Sequence, residues 1–327
     1  MLLRILKTNQ AYNLILFPVI AVILWSKSLL SPGAYSFYPG EDQQVLFKPL
    51  FNLTQNSPFL QVLISLIIVI LIGFLIQNLN SQFAFIRVRS LLPSSYFIIL
   101  VGGFPVLHTL HPVLFAALFV MFALNRVFDA FEKKNIFSNA FDTGVLIGAG
   151  SLFYFNLIFI SPAFILGLAI INREFSWREL VLFFWGVILP WVFAFSYFFF
   201  FDETGQLLRV ITLNITTKNT HIRGDLPLQL FLGYQALLIL IASLNFIKSY
   251  DRKKISSRKY FIAFFLIFIF SIAGILFVPS ASLETLVLIS IPVSYLISNF
   301  FVFNKKKILG EVLFAIFLGL AIFMQFT

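Results

Sequence analysis

The sequence predicts an all-α fold, a polytopic transmembrane helical bundle of about 11 spans. Three observations carry that expectation. Apolar residues make up 60% of the 327-residue chain and charged residues only 11%, where soluble domains carry roughly 25% charge. Mean hydropathy is +0.98. Finally, 18 of the 23 Lys and Arg residues fall in alternate gaps between long apolar runs, leaving five for the other gaps. Basic flanks stay on the cytoplasmic side during insertion, so this sorting gives an orientation as well as a class.

A bilayer crossing takes about 20 mostly apolar residues. Runs near 11–26, 59–77, 91–107, 112–128, 142–156, 158–172, 180–201, 229–247, 260–278, 283–303 and 308–326 meet that requirement. The first follows Arg4 and Lys7, contains Pro18 and lacks a small-x-small cleavage pattern, so it reads as an uncleaved helix. The N-terminus is then inside, and an odd number of spans puts the C-terminus outside. Residues 142–172 leave only 31 positions for two crossings and a turn. A single helix kinked at Pro162 would invert everything after it, leaving 10 basic residues inside and 13 outside. That ordering opposes the positive-inside rule, so a pair of short helices is expected near 142–172, crossing twice or re-entering. Little chain remains for a soluble domain. Residues 1–327 read as one integral membrane domain of a bacterial inner membrane, with outside loops near 26–58 and 202–229 and a basic cytoplasmic loop near 248–259.

Composition also excludes chemistry. Without cysteine there is no disulfide, thiolate metal site or Cys nucleophile. A pI near 9.8 could suggest nucleic acid, but the basic residues sit at span ends, where they serve topology and anionic headgroups. The 45 phenylalanines read as lipid-facing bulk. No acidic residue falls mid-span, since Asp142, Glu284 and Glu311 lie near span starts. That placement argues against a proton-coupled pump. The short hairpins cluster in the first half, which disfavours a transporter built on inverted repeats.

Two outside loops hold the candidate chemistry. In 26–58, Pro32, Gly33, Pro39, Gly40 and Pro49 break the chain into turns, and Tyr35, Phe37 and Tyr38 are ring types that settle at a membrane interface. Its acids are the adjacent Glu41 and Asp42, candidates for a catalytic base or a divalent cation, unless they merely solvate a turn. No other cofactor is evident. In 202–229, Arg209, Lys218 and Arg223 could hold a phosphate or lipid headgroup, and His221 or Asp225 could move a proton. The bland alternative is a solubilising loop. His108 and His111 bracket a short outside turn, but Pro112 forces His111 out of helical geometry. They are read as an interfacial pair and not as a metal site. The run Lys248–Lys259 serves topology or docks an acidic partner.

Residues 139–154 (NAFDTGVLIGAGSLFY), with Phe175-Ser-Trp177-Arg178-Glu179-Leu and Gly186-Val-Ile-Leu-Pro190-Trp191, resemble a family of uncharacterised polytopic inner-membrane proteins from Bacteroidetes. More distantly they resemble the membrane module of GT-C glycosyltransferases, which use polyprenyl-phosphate sugars and carry a catalytic acid in the first outside loop. That resemblance would put Glu41 or Asp42 in the catalytic position, with loop cations on the departing phosphate. The first loop is short for such an enzyme, and the outside turn 108–112 has no second acidic motif. Two readings therefore stand: GT-C-like handling or transfer of a polyprenyl-phosphate-linked sugar at the outer face, or a non-catalytic subunit or scaffold that binds other envelope membrane proteins. A transporter ranks behind both.

Overall fold

The computed structural model describes Leu3, Leu6, Lys7, Tyr35 and residues 13–33, 37–86, 90–217, 226–304 and 306–326. Among these, thirteen α-helices and no strand are found: α1 (Asn13–Leu30), α2 (Phe47–Thr54), α3 (Pro58–Phe83), α4 (Leu92–Gly102), α5 (Pro112–Asp129), α6 (Phe137–Phe153), α7 (Ser161–Ile171), α8 (Trp177–Phe200), α9 (Thr204–Thr216), α10 (Leu226–Lys248), α11 (Ile255–Phe277), α12 (Leu286–Phe303) and α13 (Lys307–Phe323). Each of the eleven predicted runs falls on helix. Among the described residues, six helices are long and apolar enough to cross a membrane: α3, α5, α8, α10, α11 and the segment Leu283–Phe303.

The centre of the bundle is α4 and α12. All eleven residues of α4 are buried, and α12 is buried over most of its length. A helix that is apolar all round belongs inside, not on a surface. Several of the polar groups of these two helices are paired internally. Tyr295 donates to Ile76 O at 2.7 Å, Tyr96 to Gln235 Oε1 at 2.6 Å, and Ser290 and Ser294 back-bond to their own helix. The phenylalanines divide between two environments, which corrects their reading as lipid-facing bulk. Phe85 packs edge-to-face with Phe128, Tyr260 and Tyr295, and Phe264 stacks on Tyr295 inside the bundle, whereas Phe193, Phe195, Phe199 and Phe200 of α8 are exposed.

The doubtful region is a hairpin. Tyr154 is extended (φ −137°, ψ 99°), a 3-10 segment Phe155–Ile160 follows, and Pro162 lies in the first turn of α7. Proline there starts a helix and does not kink one. One end of the hairpin joins the basic loops: Asn139 Nδ2 donates to Arg126 O at 2.8 Å, and Asn172 Nδ2 to Ala130 O at 2.9 Å. Lys259 Nζ reaches Ile171 O at 2.8 Å on the same side. At the opposite end Leu46 N donates to Leu152 O at 3.1 Å. The two short helices thus run between the same two ends as their longer neighbours.

Glycine explains how α6 meets α8. A Cβ on Gly144 or Gly148 would run into the backbone carbonyl of Phe183 or Val187, and one on Gly186 into that of Phe141. Small residues four apart allow such close approach between helices in lipid. Replacing Gly148 by Ala is expected to cost about 1–3 kcal/mol, because rigid backbone and not a pliable side chain must give way. Thermal unfolding in detergent reads this directly, and an unchanged melting temperature in the variant would dismiss the close contact.

Candidate buried polar site

The end opposite the basic loops gathers the polar chemistry. Gly40 begins it: its φ is +98°, and a Cβ there would lie 2.8 Å from Leu213 Cβ. Only glycine fits both demands without strain. The turn closes through Glu41 N to Tyr38 O at 3.1 Å, and it sends the Glu41 side chain inward, where it is fully buried. Tyr38 N donates to Glu41 Oε2 at 3.3 Å, while Oε1 meets Nε2 of His111. The contact lies off the in-line hydrogen-bond direction, and neither atom has a hydrogen-bond partner among the described residues.

His111 caps α5 in an extended conformation (φ −125°, ψ 139°), as the following proline requires. Its Nδ1 accepts from Val113 N at 3.3 Å. The ring proton therefore belongs on Nε2, facing the carboxylate. Phe37 packs on this ring and on Phe47 and Phe51, and Tyr35 lies edge-on to it. Tyr35 and Phe37 thus cover the histidine. Burial pushes the phenols of Tyr35 and Tyr38 well above their ordinary value, with Glu41 adding to both.

A second buried carboxylate faces the same region. Glu284 Oε1 accepts from Ser282 N at 2.8 Å and from Tyr154 Oη at 3.1 Å. Tyr154 Oη also meets Thr285 Oγ1 at 3.0 Å and accepts from Asn156 Nδ2 at 3.4 Å. Ser280 donates to Asn156 Oδ1 at 3.1 Å and to the backbone carbonyl of Asn214. Asn214 in turn donates to Gly40 O at 3.1 Å and accepts from Gln44. The network closes on the turn where it began. The Tyr38 and Ser282 hydroxyls are buried with no hydrogen-bond partner among the described residues.

The sequence-predicted residues separate here. Glu41 and Asp42, expected to act together, have different surroundings. Glu41 is sealed against His111, whereas Asp42 lines an open pocket of about 430 Å³ with Lys48, Phe51, Asn52, Gln206 and Arg209. Partial burial raises the Asp42 carboxyl above its ordinary value, and nearby Glu41 adds to that. Arg209 is thus brought to Asp42, on α9, where the sequence suggested loop. Lys218, His221, Arg223 and Asp225 lie outside the described residues. Among the described residues no group of three or more His, Asp and Glu is arranged to hold a metal.

His108 and His111 do not form a pair. His108 stacks on Trp25 with ring centroids 3.8 Å apart, meets Ser28 Oγ at 3.0 Å and donates through Nε2 to Gly102 O at 3.1 Å. The sequence places Asp142, Glu284 and Glu311 near span starts. It did not show that Glu41, His111 and Glu284 are buried at the bundle's end. The polar run 280–285 (SASLET) between two apolar segments is the signal that could have drawn attention to Glu284.

An all-α bundle with six helices long and apolar enough to cross a membrane, among the described residues, is compatible with an integral membrane protein. Residues 46–327 match a family described as "Family of unknown function (DUF6427)", and the chain belongs to it. No curated protein and no solved structure matches, so the likeness to GT-C glycosyltransferases rests on the quoted residues alone. His111, Tyr154, Glu284, Lys48 and Arg209 lie within the matched stretch, and Glu41 and Asp42 just ahead of it.

Removing one of two facing buried polar groups leaves the other without a partner, at a cost of about 1–3 kcal/mol. His111→Ala should therefore destabilise the protein by that amount in detergent unfolding, and Glu41→Gln combined with it should cost less than the two single changes summed. Strict additivity would mean that the contact carries no coupling. A separate expectation concerns pH. Burial pushes the His108 ring from 6.5 down to about 3. Below pH 6.5 the unfolded chain gains a proton that the folded chain refuses, so stability falls as pH drops toward 3. The fall in melting temperature from pH 7.5 to 5.5 should be smaller in His108→Gln than in wild type.

Proposed function

We propose that this protein crosses a bacterial inner membrane about eleven times, N-terminus inside and C-terminus outside, and handles a phosphate-bearing lipid at its outer end. The single observation behind the ligand is the pocket at that end, where Lys48 and Arg209 face Asp42 in about 430 Å³. Neither cation makes an ion pair among the described residues. Arginine offers a bidentate fork and lysine a point charge, the two donor types suited to a phosphate or pyrophosphate. A polyprenyl-phosphate-linked sugar is the substrate class we favour. Its headgroup would occupy the pocket while its chain stays in the bilayer.

In such a transfer the catalytic group would be Asp42 and not Glu41. The Asp42 carboxyl lines the pocket, and its raised proton affinity suits a base that takes a hydroxyl proton. Glu41 is walled off and positions the turn. A second reading, a docking face for a partner subunit, draws on the close packing of the two end segments through Gln44, Asn214 and Gly40.

Binding of a polyprenyl phosphate to the purified protein separates the two. Arg209→Ala is expected to weaken it on the order of tenfold or more, the loss typical of a charged hydrogen bond. Asp42→Asn should leave binding intact and abolish rescue of the envelope glycan profile in a deletion strain. Equal binding by wild type and Arg209→Ala would retire the phosphate site and turn attention to co-purifying membrane proteins.

A further inference from the structure

At the basic end, an apolar groove opens into a charged pocket. The groove, about 270 Å³, lies between α10, α11 and α12 and is lined by residues such as Ile239, Phe246, Phe261, Phe265 and Leu296. Beside it is a pocket of about 630 Å³ whose wall includes Lys248, Arg252, Lys253, Lys306, Ser249 and Asn304. Lys253 sits on the seam. Its Nζ lies 5.0 Å and 5.6 Å from the rings of Phe246 and Phe261, which belong to the groove, and 5.3 Å from Phe303, which belongs to the pocket. Asn299 Oδ1 accepts from it at 2.8 Å and fixes it there.

The pocket is built for an anion. Four cationic residues line it and no acidic one does. The acid closest in sequence, Asp251, is 97% exposed and pairs with Arg258 at 3.8 Å. Asn304 Nδ2 is buried, lines the pocket and has no hydrogen-bond partner among the described residues. A buried N–H left unmade costs free energy that a bound acceptor would recover. The adjoining groove is built for a hydrocarbon: its walls are aromatic and aliphatic, with Ser243 as a rare polar contributor.

We propose that this end holds an anionic phospholipid, with its phosphate in the basic pocket and one acyl chain in the groove between α10, α11 and α12. A free phosphate would use the pocket and leave the groove unfilled. An acidic peptide would likewise gain nothing from apolar walls that face the hydrocarbon. Basic pockets between helices on a membrane's inner side suit the headgroups of anionic lipids. The site lies at the opposite end of the bundle from the Asp42 pocket and does not depend on it.

Native mass spectrometry of the detergent-purified protein tests this with phosphatidylglycerol, phosphatidylcholine of the same chains, and inorganic phosphate. Phosphatidylglycerol should be retained on the order of tenfold more strongly than phosphatidylcholine, as expected when several Lys and Arg face an anionic headgroup. Phosphate alone should give no comparable stabilisation. Replacing Lys248, Arg252 and Lys306 together by Gln should remove the preference, and Ser243→Phe, which fills the groove and keeps every charge, should weaken retention of phosphatidylglycerol. Because those basic residues also set topology, the wild-type comparison of the two lipids stands by itself. Equal retention of both lipids would overturn the proposal, as would full stabilisation by phosphate alone or wild-type retention in the Ser243→Phe variant.

Discussion

The end of the molecule that carries its chemistry is organised around the amide of Asn214. One side chain donates to Gly40 and to its own helix at Val210, and accepts from Gln44. The backbone carbonyl of the same residue accepts from Ser280. Three segments far apart in sequence are thereby held in one arrangement. Leu213 and Asn214 close over the turn at Gly40, and that turn aims Glu41 at His111 and leaves Asp42 lining the open pocket. In an apolar bundle such a hub has few substitutes, since polar groups cut off from water must find partners within the protein.

Two carboxylates and an imidazole in one buried region are costly, and the surrounding residues show how the cost is limited. Glu284 receives a backbone N–H and a tyrosine hydroxyl. Glu41 receives a backbone N–H and faces the ring of His111. Hydrogen bonds to the charged form and an adjacent proton donor both offset lost hydration. Four buried polar atoms, on Tyr38, Ser282, Glu41 and His111, stay unpartnered here among the described residues. Elsewhere in the core, Tyr295, Ser290 and Ser294 find carbonyls.

The helical class was legible because it depends on sums: apolar content, run length and the spacing of Lys and Arg. Even the doubtful hairpin at 142–172 followed from charge counting, and the placement of Pro162 and Tyr154 agrees with it. The site was less legible because it depends on contacts between distant residues. Nothing local distinguishes Glu41 from Asp42, and their separation arises from Gly40 and from a histidine 70 positions away. Glu284 looked like an ordinary residue at a span start. In α9, read as loop, Leu207 and Asn214 are buried two helical turns apart, a periodicity obscured by the charges that flank it.

The complete burial of α4 bears on how the chain enters a membrane. Eleven residues reach only about 16 Å, roughly half the hydrocarbon thickness of a bilayer. Such a segment gains too little from lipid to partition alone, and once in place it touches protein on every side. It must therefore enter together with α5, joined through the tight turn that His108 and His111 bracket, and wait for α12 to arrive nearly two hundred residues later. Assembly is complete only when α12, threaded late, closes over a helix made early.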